Sequence, residues 1–177
     1  MTVEALNSLV GIGTLALHLL LVLMLGLYVM REETTQELVG TWALPVAFLA
    51  AFVGSAMTLV YSEYFGVIPC GLCWFQRVFL YPQIILFAIA QWKHDATVVF
   101  YSIAMSVFGM IVSLYQHYLQ MGGTSALPCP ASGEADCGKR IIFEFGYITF
   151  PLAAFSLFAF ITILMLFYYR HTQRVRS

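Results

Sequence analysis

The sequence predicts an all-α integral membrane protein with five transmembrane helices. Of its 177 residues, 61% are hydrophobic and only 10% are charged, whereas an average soluble domain has about 45–50% apolar and about 25% charged residues. Five apolar runs are each long enough to cross a hydrocarbon core of about 30 Å as a helix. None shows the alternation of a transmembrane β-strand, so helices are the structure that satisfies the backbone in lipid.

The predicted helices follow the apolar runs in chain order, at 9–30, 42–61, 73–92, 96–118 and 146–169. The first run has the position of a secretory signal peptide. Residues 1–8 carry no Lys or Arg, however, and no small-residue cleavage site follows the run, so we expect a retained helix. His18 is the only histidine or charged residue type in this span, and we expect it to be neutral and satisfied by a neighbouring helix, or to mark an interaction face.

The charged residues predict how the chain is oriented in the membrane, and the net charge argues against a nucleic-acid partner. A formal net charge of -1 gives no support for binding to nucleic acid. The positive tail at 170–176 predicts a cytoplasmic carboxyl terminus, because short cytoplasmic flanks carry an excess of Lys and Arg. Counting back through five spans places the amino terminus outside. The loops 62–72 and 119–145 then lie together on the external side.

All four cysteines lie on this external side. Cys70 and Cys73 form a Cys-x-x-Cys at the start of the third helix, while Cys129 and Cys137 lie in the longer loop. Two pairs on an oxidising face suggest redox exchange, and two static structural disulfides are the alternative. Zinc ligation is a weaker alternative, because seven residues separate the two cysteines of the second pair. Covalent haem attachment is weaker still, because it requires a His directly after Cys73 and the sequence has none there. Four cysteines allow three pairings, which spacing does not separate.

The first pair suits thiol chemistry. A helix amino terminus stabilises a thiolate, which is the nucleophile in disulfide exchange, and Cys73 has the better position for this effect. Arg77 follows one turn later on the same helix face, where its permanent charge favours the thiolate and polarises an electron acceptor. A charge inside a span is costly and usually functional, although Arg77 also lies near enough to the end to extend towards the headgroups.

Longer motifs surround these residues. Residues 69–77 read Pro-Cys-Gly-Leu-Cys-Trp-Phe-Gln-Arg and are followed by Tyr-Pro at 81–82. Residues 115–118 read Tyr-Gln-His-Tyr, Pro precedes Cys129, and 147–151 read Tyr-Ile-Thr-Phe-Pro. These segments resemble the DsbB/BdbC family of disulfide-bond-formation membrane proteins, and the BdbC branch more closely. The resemblance covers about residues 44–167.

The resemblance implies a four-helix bundle core, so the first span is an additional N-terminal transmembrane helix. We therefore expect three parts in the chain. Residues 1–40 are the additional helix and a cytoplasmic linker, 41–170 are the redox domain, and 171–177 are a basic cytoplasmic tail. The family is that of thiol:quinone oxidoreductases of the bacterial plasma membrane, which reoxidise a DsbA-like thioredoxin-fold dithiol protein. The sequence does not choose between ubiquinone and menaquinone, and it does not indicate the oligomeric state.

The resemblance also implies roles for individual residues. Cys129 matches the cysteine that the reduced partner attacks, and Cys137 matches its companion in the loop. Cys70 matches the residue that exchanges with Cys137, and Cys73 matches the thiolate in contact with the quinone. Two further residues match positions at the quinone: Arg77 and His117. A vitamin K epoxide reductase-like quinone reductase is a further alternative, but there the Cys-x-x-Cys typically lies in a late helix.

Overall fold

The computed structural model describes residues 2–124 and 136–176, which contain five long helices. They are α1 (Val3–Met30), α2 (Glu33–Leu59), α3 (Gly71–Lys93), α4 (Val98–Gln120) and α5 (Phe150–Arg176). Each is long and apolar enough to span a membrane, which confirms the predicted all-α fold with five spans.

The helix starts differ from the apolar runs, for local reasons. Thr2 caps α1 by accepting a hydrogen bond from the backbone N–H of Ala5 at 3.3 Å, so this helix begins at Val3 and not at residue 9. Arg31 takes a left-handed conformation that separates α1 from α2. Because α2 begins at Glu33, residues 33–40 are helical, and only Arg31 and Glu32 lie between α1 and α2. Polar residues end an apolar run, but they do not end a helix.

The start of the fifth helix was also predicted wrongly. Residues 146–149 do not belong to α5 but to a short antiparallel hairpin of β1 (Phe143–Glu144) and β2 (Ile148–Thr149). Phe145 and Gly146 form its turn with φ of 53° and 79°, a backbone region that a right-handed helix does not use. At its other end α5 continues through Arg176, so the basic tail is helical as far as that residue.

Helices α2 to α5 form the core, with α5 packed against both α2 and α4. Ala43, Ala47 and Ala51 are fully buried and let α2 approach its neighbours closely. On α4, a Cβ at Gly109 would lie 2.5 Å from the ring of Phe158, so the glycine makes room for this α5 side chain. The four-helix core is therefore held by close contacts between small and large side chains.

Helix α1 lies outside this core and packs mainly on α5. Nε2 of His18 lies 2.7 Å from Oγ of Ser156 on α5. The expectation that a neighbouring helix satisfies His18 is thus confirmed. The predicted architecture, a four-helix core with one additional N-terminal helix, is confirmed as well.

Candidate redox-active site

Cys70 and Cys73 meet at the amino terminus of α3. Cys70 has an extended backbone and is the N-cap residue, and its sulfur accepts a hydrogen bond from the backbone N–H of Cys73 at 3.4 Å. The two sulfurs lie 2.7 Å apart, and both cysteines are free thiols. The capping geometry therefore holds the pair within reach of disulfide formation.

A buried glutamine on α4 contacts both sulfurs. Nε2 of Gln116 donates to the sulfur of Cys70 at 3.1 Å and to that of Cys73 at 3.3 Å. Its Oε1 accepts from Nε2 of Gln76 at 2.7 Å, which fixes the amide so that its NH2 group faces the sulfurs. The amide is thus a donor that stabilises negative charge on the pair. Neither glutamine has a role predicted from the sequence, although polar side chains within apolar helices are a signal of function.

The two thiols have different surroundings. The hydrogen bond to the sulfur of Cys73, together with burial, raises the pKa of the Cys70 thiol well above its usual range. Cys70 therefore keeps its proton at neutral pH and donates it towards Cys73. Cys73 also lies in the first turn of α3, where the helix dipole favours negative charge.

This difference predicts selective alkylation of the reduced protein. A raised pKa means less thiolate at any given pH, so we expect iodoacetamide to modify Cys73 while Cys70 stays at least about tenfold slower than a free thiol at pH 7 to 9. Mass spectrometry of the peptide that carries both residues measures the two rates. A Cys70→Ser variant controls for the assignment, since it must leave the labelling of Cys73 in place. Equal labelling of both thiols would contradict the described difference.

Arg77 points into the bundle. It is only 8% exposed, and its Nη2 donates to the backbone carbonyl of Thr58 on α2 at 2.9 Å. Its guanidinium carbon also lies 5.1 Å from the ring centroid of Trp74. Among the described residues no carboxylate forms an ion pair with it. Just after Thr58, α2 ends in a π-helical turn, Val60–Tyr64, a kind of distortion that is frequent at functional sites.

Two cavities meet at the cysteine pair. The first is a narrow, mainly apolar cleft between α2, α3 and α5, and Arg77 lines it. The second is wider and is lined by both cysteines of the pair and by Gln116. Four residues line both cavities: Val67, Cys73, Ile141 and Phe150. Cys73 is thus the sulfur that faces both spaces.

Of the remaining predicted site residues, some lie close to this cysteine pair and others do not. Cys137 is buried, disulfide-bonded, and in one cluster with Cys70 and Leu119. Cys129 lies outside the described residues. Nδ1 of His117 lies 2.8 Å from Oγ1 of Thr149, at the start of α5, and His117 lines neither cavity. The structure therefore brings Cys70, Cys73, Arg77 and Cys137 together and places His117 to one side.

Comparison with known proteins identifies the family of the chain. The family model described as "Disulfide bond formation protein DsbB" matches residues 40–169. "Probable disulfide formation protein C" of Halalkalibacterium halodurans is 34% identical over 134 residues, which are 76% of this chain and 93% of that protein. A protein with the same description from Bacillus cereus is 35% identical over 134 residues, covering 76% and 92% of the two chains.

A third relative, "SPbeta prophage-derived disulfide bond formation protein B" of Bacillus subtilis, is 36% identical over 114 residues, which are 64% of this chain and 76% of the relative. No solved structure is significantly similar to the chain. The predicted resemblance is thus confirmed, including its BdbC-like character. The chain belongs to the DsbB family of disulfide bond formation proteins, and it is a multi-pass membrane oxidoreductase that generates disulfides with a thiol–disulfide partner protein.

Proposed function

We propose that the protein oxidises an external dithiol protein of the thioredoxin fold, similar to DsbA, and passes the electrons through two cysteine pairs to a membrane quinone. The observation that carries this proposal is the position of Cys73. Its sulfur belongs to a closely spaced thiol pair, receives a hydrogen bond from Gln116, and borders the cleft that contains Arg77. A thiol pair next to an apolar, cation-lined cleft suits electron transfer to a lipid-soluble acceptor.

The first exchange takes place in the loop. The thiolate of the donor attacks Cys129, a mixed disulfide forms, and Cys137 leaves as a thiolate if the two loop cysteines are paired. The second thiol of the donor then attacks the mixed disulfide, releases Cys129 as a thiol, and leaves the donor with a disulfide. Two electrons and two protons have then moved from the donor to the loop pair.

The second exchange joins the two pairs. The thiolate of Cys137 attacks the sulfur of Cys70 in an oxidised Cys70–Cys73 pair, and Cys73 leaves as a thiolate. Attack of Cys129 on the new bond restores the loop disulfide and leaves Cys70 as a thiol. The shared buried cluster of Cys70 and Cys137 supports this route. The raised pKa of Cys70 supports it too, because Cys70 then retains the proton and the charge stays on Cys73.

The residues that line the cleft suit a quinone head group. Its walls include Leu80, Leu157 and Phe158, which suit a ring, and the guanidinium of Arg77 offers N–H donors to a ring oxygen. When bound, a quinone accepts two electrons and two protons from the reduced pair. The cleft is narrow, so side chains such as Leu157 must move to admit the ring. Ubiquinone and menaquinone expose similar ring oxygens, and we propose either.

His117 acts on this cleft indirectly in our proposal. Its partner Thr149 precedes Phe150, which lines both cavities. The hydrogen bond thus fixes the start of α5 beside the head group. The proposed catalytic set is Cys70, Cys73, Cys129 and Cys137, with Arg77 and Cys73 at the quinone.

We also propose that the cysteine loops face the outside of a bacterial plasma membrane, with the amino terminus outside and the carboxyl terminus in the cytoplasm. The three parts 1–40, 41–170 and 171–177 then serve as an additional helix with its connection, a redox domain and a basic tail. A tag at residue 1 should be labelled from outside in intact cells. Protection of this tag, while the loop cysteines stay accessible, would contradict the proposed orientation.

The contact between Gln116 and the sulfurs yields a prediction with a matched control. We expect Gln116→Leu to slow quinone reduction about 10- to 100-fold, because hydrogen bonds to a charged group contribute about 1.5–3 kcal/mol. Gln83 is also buried between α3 and α4 and bonds to Ser102 and Ser106, but it does not touch a cysteine. Gln83→Leu should therefore lower stability without a comparable loss of rate. Equal losses of rate in the two variants would contradict a role for Gln116 at the sulfurs.

A turnover assay tests the proposed function. Purified protein in detergent receives a reduced thioredoxin-fold dithiol protein and a soluble quinone analogue, and quinone absorbance is followed. We expect reduction that requires both the protein and the dithiol donor. If the protein is inactive with several donors and quinones, and thiol trapping finds every cysteine in unexchanging disulfides, the alternative of two static disulfides is correct instead.

A further inference from the structure

The additional helix α1 lies outside the segment that matches the family, which begins at residue 40. Its middle and C-terminal parts are largely exposed, as suits contact with lipid. Its N-terminal end differs, because polar and close contacts there join α1 to the segment that leads from Cys137 to α5. This end of the helix therefore contacts a part of the candidate site.

Asn7 connects three elements. Its Nδ2 donates to the backbone carbonyl of Ile141 at 3.1 Å, and its Oδ1 accepts from the hydroxyl of Tyr61, in the π-helical turn after α2, at 2.7 Å. Beside these bonds, Leu6, Tyr61 and Ile142 form a buried cluster. Both the NH2 group and the oxygen of the side-chain amide are hydrogen-bonded, so Asn7 fixes the position of the Ile141 backbone relative to α1 and the end of α2.

Gly11 lies one turn further along the same helix and lets the hairpin approach it. A Cβ built at Gly11 would lie 2.9 Å from Cβ of Glu144 in β1, closer than side chains tolerate. Gly13, two residues later, has nothing within 4 Å of such a Cβ. The close approach is thus specific to the face of α1 that meets the hairpin.

The anchored segment is part of the redox site. Ile141 lines both cavities next to Cys73, and it follows Cys137 by four residues. From the side of α4, Nε2 of Gln120 donates to the carbonyl of Lys139 at 3.0 Å. The segment after Cys137 is thus held on one side by α4 and on the other by α1.

We propose that Asn7 and Gly11 of α1 are positioning residues that set the approach of Cys137 to Cys70. This inference rests on the proposed exchange between the two pairs. In that exchange a sulfur–sulfur bond forms only if the two sulfurs meet closely, and a shift in the anchored segment reduces how often they do. Helix α1 therefore acts on electron transfer between the pairs without touching a reacting atom.

A redox-neutral equilibrium measures this approach directly. In a Cys73→Ser background, the thiolate of Cys70 attacks Cys137, a Cys70–Cys137 bond forms, and the existing disulfide of Cys137 breaks. The former partner sulfur leaves as a thiolate and takes up the proton that Cys70 released. The ratio of the new to the original disulfide, read by non-reducing digestion and mass spectrometry, reports the effective concentration of Cys70 at Cys137. Neither a quinone nor a partner protein is needed.

Asn7→Leu removes the bonds to Ile141 and Tyr61, and we expect it to lower this ratio about three- to tenfold, which corresponds to the loss of the one hydrogen bond that anchors Ile141. Ser8→Ala is the matched control, because Ser8 is exposed on the same helix. Gly11→Ala and Gly13→Ala form a second matched pair, since each adds one methyl group and gains the same helix propensity. We expect about a tenfold decrease for Gly11→Ala and no change for Gly13→Ala.

The second pair keeps the inference testable if Asn7→Leu fails to fold. Unchanged ratios in both Asn7→Leu and Gly11→Ala, in proteins that remain monodisperse, would overturn the positioning role and leave the proposed function intact. Absence of the Cys70–Cys137 bond in the Cys73→Ser background itself would overturn the exchange and the positioning role together.

Discussion

Cys73→Ser is expected to abolish quinone reduction, with a loss of at least about a thousandfold in turnover. Cys73 is the sulfur of the first pair that lines the cleft with Arg77, so no other group of the pair can pass electrons into it. The rate of quinone reduction with saturating reduced donor protein measures the effect.

The same variant should still react with the donor. In the fraction of Cys73→Ser that retains the loop disulfide, the attacked bond is unchanged, so there a mixed disulfide between the donor and Cys129 should form at close to the wild-type rate. Trapping with acid and a thiol reagent, followed by non-reducing electrophoresis, detects it. Loss of both reactions in a correctly folded variant would contradict the proposed electron route, because it would place Cys73 in the first exchange as well.

Arg77→Met is expected to weaken the use of quinone while the thiol pair stays reactive. The substitution removes the buried guanidinium that lines the cleft and the hydrogen bond to the carbonyl of Thr58. Since a hydrogen bond to a charged group contributes about 1.5–3 kcal/mol, we expect the KM for quinone to rise about 10- to 100-fold. Steady-state kinetics at varied quinone concentration separate KM from kcat.

Arg170 provides the matched control. It too donates to a backbone carbonyl, that of Tyr28 at 2.7 Å, and its guanidinium carbon lies 3.3 Å from the ring centroid of Tyr28. Arg170 lies near the carboxyl end of α5, away from the cysteines. Arg170→Met should therefore change stability and leave the KM for quinone as it was. A similar rise in KM for both variants would show that the effect at Arg77 is one of folding.

The sequence predicted the features that depend on local composition. Apolar length was sufficient to find five spans, because lipid requires a continuous run of apolar residues in every helix that crosses it. The spacing of Cys70 and Cys73 before Arg77 was sufficient to find the candidate site, since the three residues lie within two turns of one helix. Such features need no knowledge of how the helices pack.

Features that depend on packing between distant segments were missed. Gln116 reaches the cysteine pair across 46 positions of sequence, and only the packing of α4 on α3 brings its amide to the sulfurs. Asn7 and Ile141 are 134 positions apart, and nothing local marks either of them. Residues 146–149 of the hairpin were predicted to be helical because they adjoin a long apolar run, but the conformations of Phe145 and Gly146 form a turn instead.

In the proposed route, electrons leave an external dithiol and arrive on a membrane quinone through Cys73. Stoichiometry under strictly anaerobic conditions tests it most directly, with the donor disulfide counted by mass spectrometry and the quinol by absorbance in the same sample. We expect one quinol for each donor disulfide in the wild-type protein and neither product above background in sustained turnover of Cys73→Ser. Continued formation of donor disulfide without quinol would contradict it, because the electrons would then reach a different acceptor.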